Sequence, residues 1–250
     1  IMKNGLTSYI EFMLRSIAII LVTIAYSTLA LLGFACRLKH SFYFSLAKQW
    51  SSALLYCAGV SVTIEGLEHL QGLDSRIYIV NHTSYFDIPI LLASLPDNVR
   101  IMYRRNLEKI PFLGWSMKAS PFIAIDRDDP RNAMKSIQEA IYAVQSGESV
   151  IVFAEGTRSK DGRLGLFKRG AFLLAARSKK PIIPIALIGA QKIMPKSGMF
   201  FKPGHTVLSI QEPFPSLQQE DKQAEKILMD AVHESIRIAL PIDMQPTIHS

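Results

Sequence analysis

The sequence predicts an α/β domain on a largely parallel central sheet flanked by helices, preceded by two membrane-associated N-terminal helices. Three observations predict it. Ile17 to Cys36 runs 20 residues without a charge; as a helix that is ~30 Å, about the hydrocarbon thickness of a bilayer. After Val60, short β-branched runs alternate with stretches of helical spacing, the pattern of strand–helix–strand units. Three of those runs end in a polar cluster, at the strand ends where open α/β sheets place their active sites.

The N-terminal segment, 1–59, comes first. Glu11 and Arg15 precede the charge-free run, and Arg37, Lys39 and His40 close it. A secretory signal has a shorter apolar core and a small-residue cleavage site, which Ala30 to Ala35 imitates only loosely. Phe42 to Val60 is more amphipathic and carries Lys48, Gln49, Trp50 and Tyr56, residues suited to a membrane interface. Two arrangements stay open: one spanning helix and one lying on the bilayer, or a hairpin dipping into one leaflet. Slightly more positive charge follows the run than precedes it, which favours a cytoplasmic C-terminal domain. The expected location is a membrane, with the C-terminal domain on the cytoplasmic side.

The domain at 60–250 supplies the rest. Strands are expected at Val60–Glu65, Arg76–Val80, Val99–Arg104, Phe122–Ile125, Ser149–Phe153, Ile182–Leu187 and Thr206–Ile210. Helices are expected at Phe86–Ser94, Arg131–Ser146, Gly170–Ser178 and Gln218–Ala239. Asp129-Pro130 suits the start of the second of these and Gly147 its end. The last has Ala224, Ile227, Leu228, Ala231 and Ile236 at helical spacing, a face for packing on the sheet.

Composition narrows the function. Hydrophobic residues make up 49% of the 250, and 28 Lys and Arg against 21 Asp and Glu give +7. That balance suits an anionic partner. The two cysteines, Cys36 and Cys57, sit in apolar segments with neither CxxC nor zinc spacing. No metal site is expected. No nucleic-acid partner is expected either, because no recognition module is visible.

The polar clusters carry the chemistry. His82 and Asp87 follow the run Ile77–Val80, in VNHTSYFDIPIL. A carboxylate on one imidazole nitrogen fixes the tautomer and frees the other nitrogen as a base. Asp126-Arg127 ends PFIAIDR, and Glu155-Gly156-Thr157-Arg158 ends VIVFAEGTRS. Arginine holds a phosphate through two parallel hydrogen bonds, and a glycine lets backbone approach a ligand. Arg104, Arg105, Lys168 and Arg169 add charge near other strand ends.

Together these stretches resemble the glycerolipid acyltransferase family, the lysophosphatidate acyltransferase group. NHTSYFD is similar to its first motif, FIAIDR to its second, VFAEGTRS to its third and PIIPIAL (Pro181–Leu187) to its fourth. FKRGAFLLA is similar to the family's segment between the last two. The likeness covers roughly Val60 to Pro215. Pro121 and Phe122 stand where the family usually has glycines, and Ala154 where it has proline. Arg105-Asn106-Leu107 replaces a family Lys-Glu-Leu or Lys-Ser-Leu.

The resemblance implies transfer of a fatty acyl group from a thioester to the sn-2 hydroxyl of 1-acyl-sn-glycerol 3-phosphate. His82 is then the general base and Asp87 its orienting carboxylate. Asn81, Arg105, Arg127, Glu155, Gly156, Thr157 and Arg158 are the expected acceptor-binding residues. No cofactor is implied; the donor is acyl-CoA or acyl-carrier protein. The bilayer and a lysophospholipid are the other expected partners. No covalent acyl-enzyme is required, and no G-x-S-x-G elbow is present. Three rivals remain: the same transfer to glycerol 3-phosphate, another lysophospholipid or a lyso-ornithine lipid; a thioesterase; and a lipid-phosphate-binding protein without turnover.

Overall fold

The computed structural model describes residues 2–126, 129–198, 200–217 and 221–246. Seven strands form one sheet: β1 (Val60–Glu65), β2 (Ile77–Val80), β3 (Val99–Arg104), β4 (Ile123–Ile125), β5 (Ser149–Phe153), β6 (Ile182–Ile188) and β7 (Gly204–Ile210). Their order is β1-β7-β6-β2-β5-β3-β4. The run from β6 to β4 is parallel throughout. β7 meets β6 antiparallel and pairs in parallel with β1. The carboxyl ends of β2, β3, β4, β5 and β6 therefore share one edge.

Eight α-helices accompany the sheet among the described residues: α1 (Met2–Ala35), α2 (His40–Ala58), α3 (Asp87–Ser94), α4 (Leu113–Ala119), α5 (Pro130–Gln145), α6 (Gly170–Ser178), α7 (Ala190–Ile193) and α8 (Lys222–Ala239). Asp129 caps α5 by accepting from the Arg131 and Asn132 N–H groups, and Asp221 caps α8 in the same way. The sequence expectation runs α8 from Gln218, which lies outside the described residues.

Strand β2 shows how the layers are filled. Ile77 and Ile79 pack with α5, α6 and α8, while Tyr78 and Val80 pack with α2 and α3. Successive side chains of a strand point to opposite faces. All four are completely buried, as expected for a central parallel strand covered on both sides. Arg76, expected at the strand's start, lies before it. Its guanidinium is buried, ion-paired with Asp97 and bonded to the Leu70 and Leu73 carbonyls.

The boundary at residue 59 falls at the turn from α2 into β1, and the apolar core runs across it. Leu54, Leu55 and Ala58 of α2 share one cluster with Tyr78, Ile90 and Leu208. α1 packs on α2 and α4. Trp50 Nε1 donates to Thr23 Oγ1 at 3.2 Å, and Ser116 Oγ donates to Ser27 Oγ at 3.2 Å. The opposite face of α1 carries Leu14, Ile17, Ile20, Leu21 and Ile24, all exposed.

Candidate active site

His82 sits two residues past β2, held by its backbone and by its ring. Its N–H donates to Glu155 Oε1 at 2.7 Å, and its carbonyl accepts from the Ser159 N–H at 2.7 Å. Both partners come from the loop after β5, the strand paired with β2. The imidazole stacks on Phe153 of β5, with centroids 3.9 Å apart and planes 19° from parallel.

Nδ1 of His82 lies 2.7 Å from Asp87 Oδ2. The same oxygen accepts from the Thr83 and Ser84 N–H groups at 2.8 and 2.9 Å. Asp87 is fully buried at the first turn of α3, where the helix dipole favours negative charge. A carboxylate bonded this way is an acceptor, so the nitrogen facing it carries the proton. Nε2 is the ring nitrogen left outside that bond, and no described residue hydrogen-bonds to it. The ring is 16% exposed, enough for a substrate to reach that nitrogen.

The expected ligand residues divide by position. Arg158 lies across the Tyr85 ring, with Cζ 3.4 Å from the centroid. Its Nη1 is buried without a hydrogen-bond partner. A buried guanidinium N–H in that condition is costly, and an anion would satisfy it. Gly156 turns at φ +74°, where a side chain would press on Lys168. Thr157 is exposed beside it.

Glu155 and Asn81 face inward instead. Glu155 is 6% exposed, and its second oxygen accepts from the Gly165 N–H at 3.0 Å. Burial pushes its carboxyl up to about 7, against the pull of those two backbone hydrogen bonds. It is a tie between the β2 and β5 loops rather than an exposed ligand. Asn81 is 1% exposed; its amide exchanges bonds of 2.9 and 2.7 Å with the Leu187 carbonyl and N–H of β6. Both ends of that side chain are engaged, so the geometry gives it a positioning task.

Arg105 is exposed on the turn after β3, with Glu108 at 3.7 Å. No hydrogen bond or ion pair joins it to His82 or Arg158. Arg127 lies outside the described residues. Arg169, one of the basic residues near strand ends, pairs with Glu225 of α8 at 2.6 Å. Lys196 was not expected. Its Nζ donates to the Arg158 carbonyl at 2.5 Å and approaches Thr157 Oγ1 at 3.4 Å. It stands in the loop after α7, with no local pattern to mark it.

Beside this edge lies an apolar cavity of about 430 Å³ between α1, α2, α3 and α4. Tyr85 and Phe86 border it near His82, and Ser27, Ala30 and Tyr43 border it within the N-terminal helices.

Residues 61–188 match the model of the family described as Acyltransferase. A chloroplastic 1-acyl-sn-glycerol-3-phosphate acyltransferase of Brassica napus is 40% identical over 160 residues, 64% of this chain and 46% of that protein. One from Limnanthes douglasii is 30% identical over 196 residues, 77% of this chain and 68% of that protein. The chain spans about half the length of the chloroplastic relatives it matches. The crystal structure of the 1-acyl-sn-glycerophosphate acyltransferase PlsC from Thermotoga maritima superposes with a TM-score of 0.78. That match covers 94% of this chain and 97% of the other at 21% identity.

Proposed function

This chain belongs to the acyltransferase family, and we propose that it acylates the sn-2 hydroxyl of 1-acyl-sn-glycerol 3-phosphate to give phosphatidate. The observation that carries the reading is a His–Asp pair with an open Nε2, next to a buried arginine N–H that lacks a partner. The first suits deprotonation of a hydroxyl and the second suits a phosphate.

The acceptor hydroxyl attacks the thioester carbonyl carbon while His82 Nε2 takes its proton. The tetrahedral intermediate collapses with cleavage of the C–S bond. The imidazolium, steadied by Asp87, then returns the proton to the departing thiolate. A positioned base of this kind contributes about 10²–10⁴ in rate. Arg158, with Tyr85 beneath it, holds the acceptor phosphate, and Lys196 fixes the Thr157–Arg158 backbone. Arg105 and Arg127 remain further phosphate ligands in this reading. Glu155 and Asn81 position the loops that carry His82.

The cavity takes an acyl chain, which gains about 0.8 kcal/mol per buried methylene. The donor is acyl-CoA or acyl-carrier protein; both are anionic and suit a basic protein. We place the enzyme on a membrane, with α1 lying in one leaflet rather than crossing it. Thr23, Ser27 and Ala30 of α1 pack toward the domain while Leu14, Ile17 and Leu21 are exposed, so only one flank of the helix is open to lipid. The cytoplasmic face of a bacterial inner membrane is the surface we propose, where cations such as Arg37 and Lys39 meet anionic lipid.

The test is acyl transfer by purified protein in detergent, with acyl-CoA, and with and without lysophosphatidate. The reading predicts phosphatidate formed in step with released thiol, and little thiol without acceptor. Thiol release independent of acceptor would replace the transferase with a thioesterase.

A further inference from the structure

Between β3 and α4 the chain does something costly that the acyl-transfer reading leaves unused. Phe112 sits at φ 61°, ψ −67°, and the Leu113 N–H donates to the Pro111 carbonyl at 2.7 Å. This is the rare hand of γ-turn, strained for a residue with a side chain. Strain of this kind persists where surrounding structure enforces it, and it concentrates at functional places.

The turn puts an apolar cluster on the surface. Phe112 is 37% exposed and Trp115 is 50% exposed, with ring centroids 5.5 Å apart. Ile110 is 42% exposed and also lines the apolar cavity. The cavity thus reaches the surface beside these rings. The segment is also cationic. Arg104, Arg105, Lys109 and Lys118 are exposed, while its one carboxylate, Glu108, faces Arg105. Aromatic side chains flanked by Lys and Arg are the signature of a segment resting at an anionic lipid surface. The cluster adjoins α1, because Ser116 of α4 bonds Ser27 of α1.

We propose that the turn Ile110–Trp115 is a second membrane contact, which with α1 seats the mouth of the cavity on an anionic bilayer. This deepens the membrane reading above but stands on different residues. Two contacts fix an orientation that one helix leaves free to roll. A lipid chain then enters at Ile110 without crossing water.

The probe is Trp115 itself, since the chain has 2 tryptophans, Trp50 and Trp115. A Trp50→Phe protein is mixed with phosphatidylglycerol–phosphatidylcholine vesicles whose acyl chains are brominated near the glycerol end. The Trp115 emission should shift to shorter wavelength and be quenched. The wild-type signal minus that of Trp115→Phe should give the same answer should Trp50→Phe fold poorly. Phe112→Gly relieves the backbone and removes the ring. Its thermal midpoint should hold or rise, while vesicle partition falls roughly tenfold at limiting lipid, worth about 1.4 kcal/mol. Turnover of Phe112→Gly on a monomeric short-chain acceptor should match wild type, which separates lipid contact from chemistry. Vesicles that bind the protein yet leave Trp115 unquenched would overturn the proposal. So would Trp115 emission that responds to acidic carrier protein and not to vesicles.

Discussion

Three hydrogen bonds converge on one oxygen of Asp87, from the His82 ring and the Thr83 and Ser84 N–H groups. A neutral amide oxygen there accepts these bonds more weakly and does not stabilise the imidazolium that forms during reaction. Asp87→Asn should therefore cost roughly 10²–10⁴ in kcat while acceptor KM changes little, as steady-state kinetics would show. Arg158 makes the opposite prediction. Losing a charge-assisted bond of about 1.5–3 kcal/mol, Arg158→Ala should raise acceptor KM roughly tenfold to a hundredfold. Arg158→Lys should rescue it only in part, because an ammonium lacks the guanidinium's fork. Glu155 reports on stability. Its folded value of about 7 lies above the ordinary 4.5, so the folded state binds the extra proton between those values. Stability should then fall as pH rises from about 4.5 to 7, by up to roughly 3 kcal/mol. Denaturant midpoints across that window should show the slope in wild type and lose it in Glu155→Gln.

In the proposed reaction the elements hold the acyl chain. Ala30 of α1 lines the cavity and is 6% exposed, so Ala30→Phe should fill part of it. Competition between acyl-CoAs of different length should then shift toward shorter chains. All seven strands were legible in the sequence within two residues of their ends, because buried β-branched runs announce themselves. The direction of β7 was not, since hydropathy carries no sign of strand polarity. α4 was missed because Pro111 and Gly114 dominate its window, and α7 because four residues show no period. His82 and Asp87 were legible because the pair and its two backbone donors lie within six residues. The bonds from Glu155 and Ser159 to His82 were not, for they join loops more than 70 residues apart. Asn81 stood out in the motif, but its attachment to β6 became visible only once β2 and β6 were neighbours.

At the scale of the molecule, a sheet edge, an apolar cavity and a helix with an exposed apolar face meet in one place. The parallel run from β6 to β4 brings the His82 and Arg158 loops together. The hairpin of α1 and α2 closes the cavity beside them, where the proposed reaction would join a water-soluble thioester to a lipid acceptor. The most direct measurement of this account compares His82→Ala with wild type in acyl transfer from acyl-CoA to lysophosphatidate. Thiol release and phosphatidate formation are followed in the same tube. The account predicts that wild type makes both in equal amounts and that the variant loses both by about 10²–10⁴. Phosphatidate formation by His82→Ala at near the wild-type rate would contradict it.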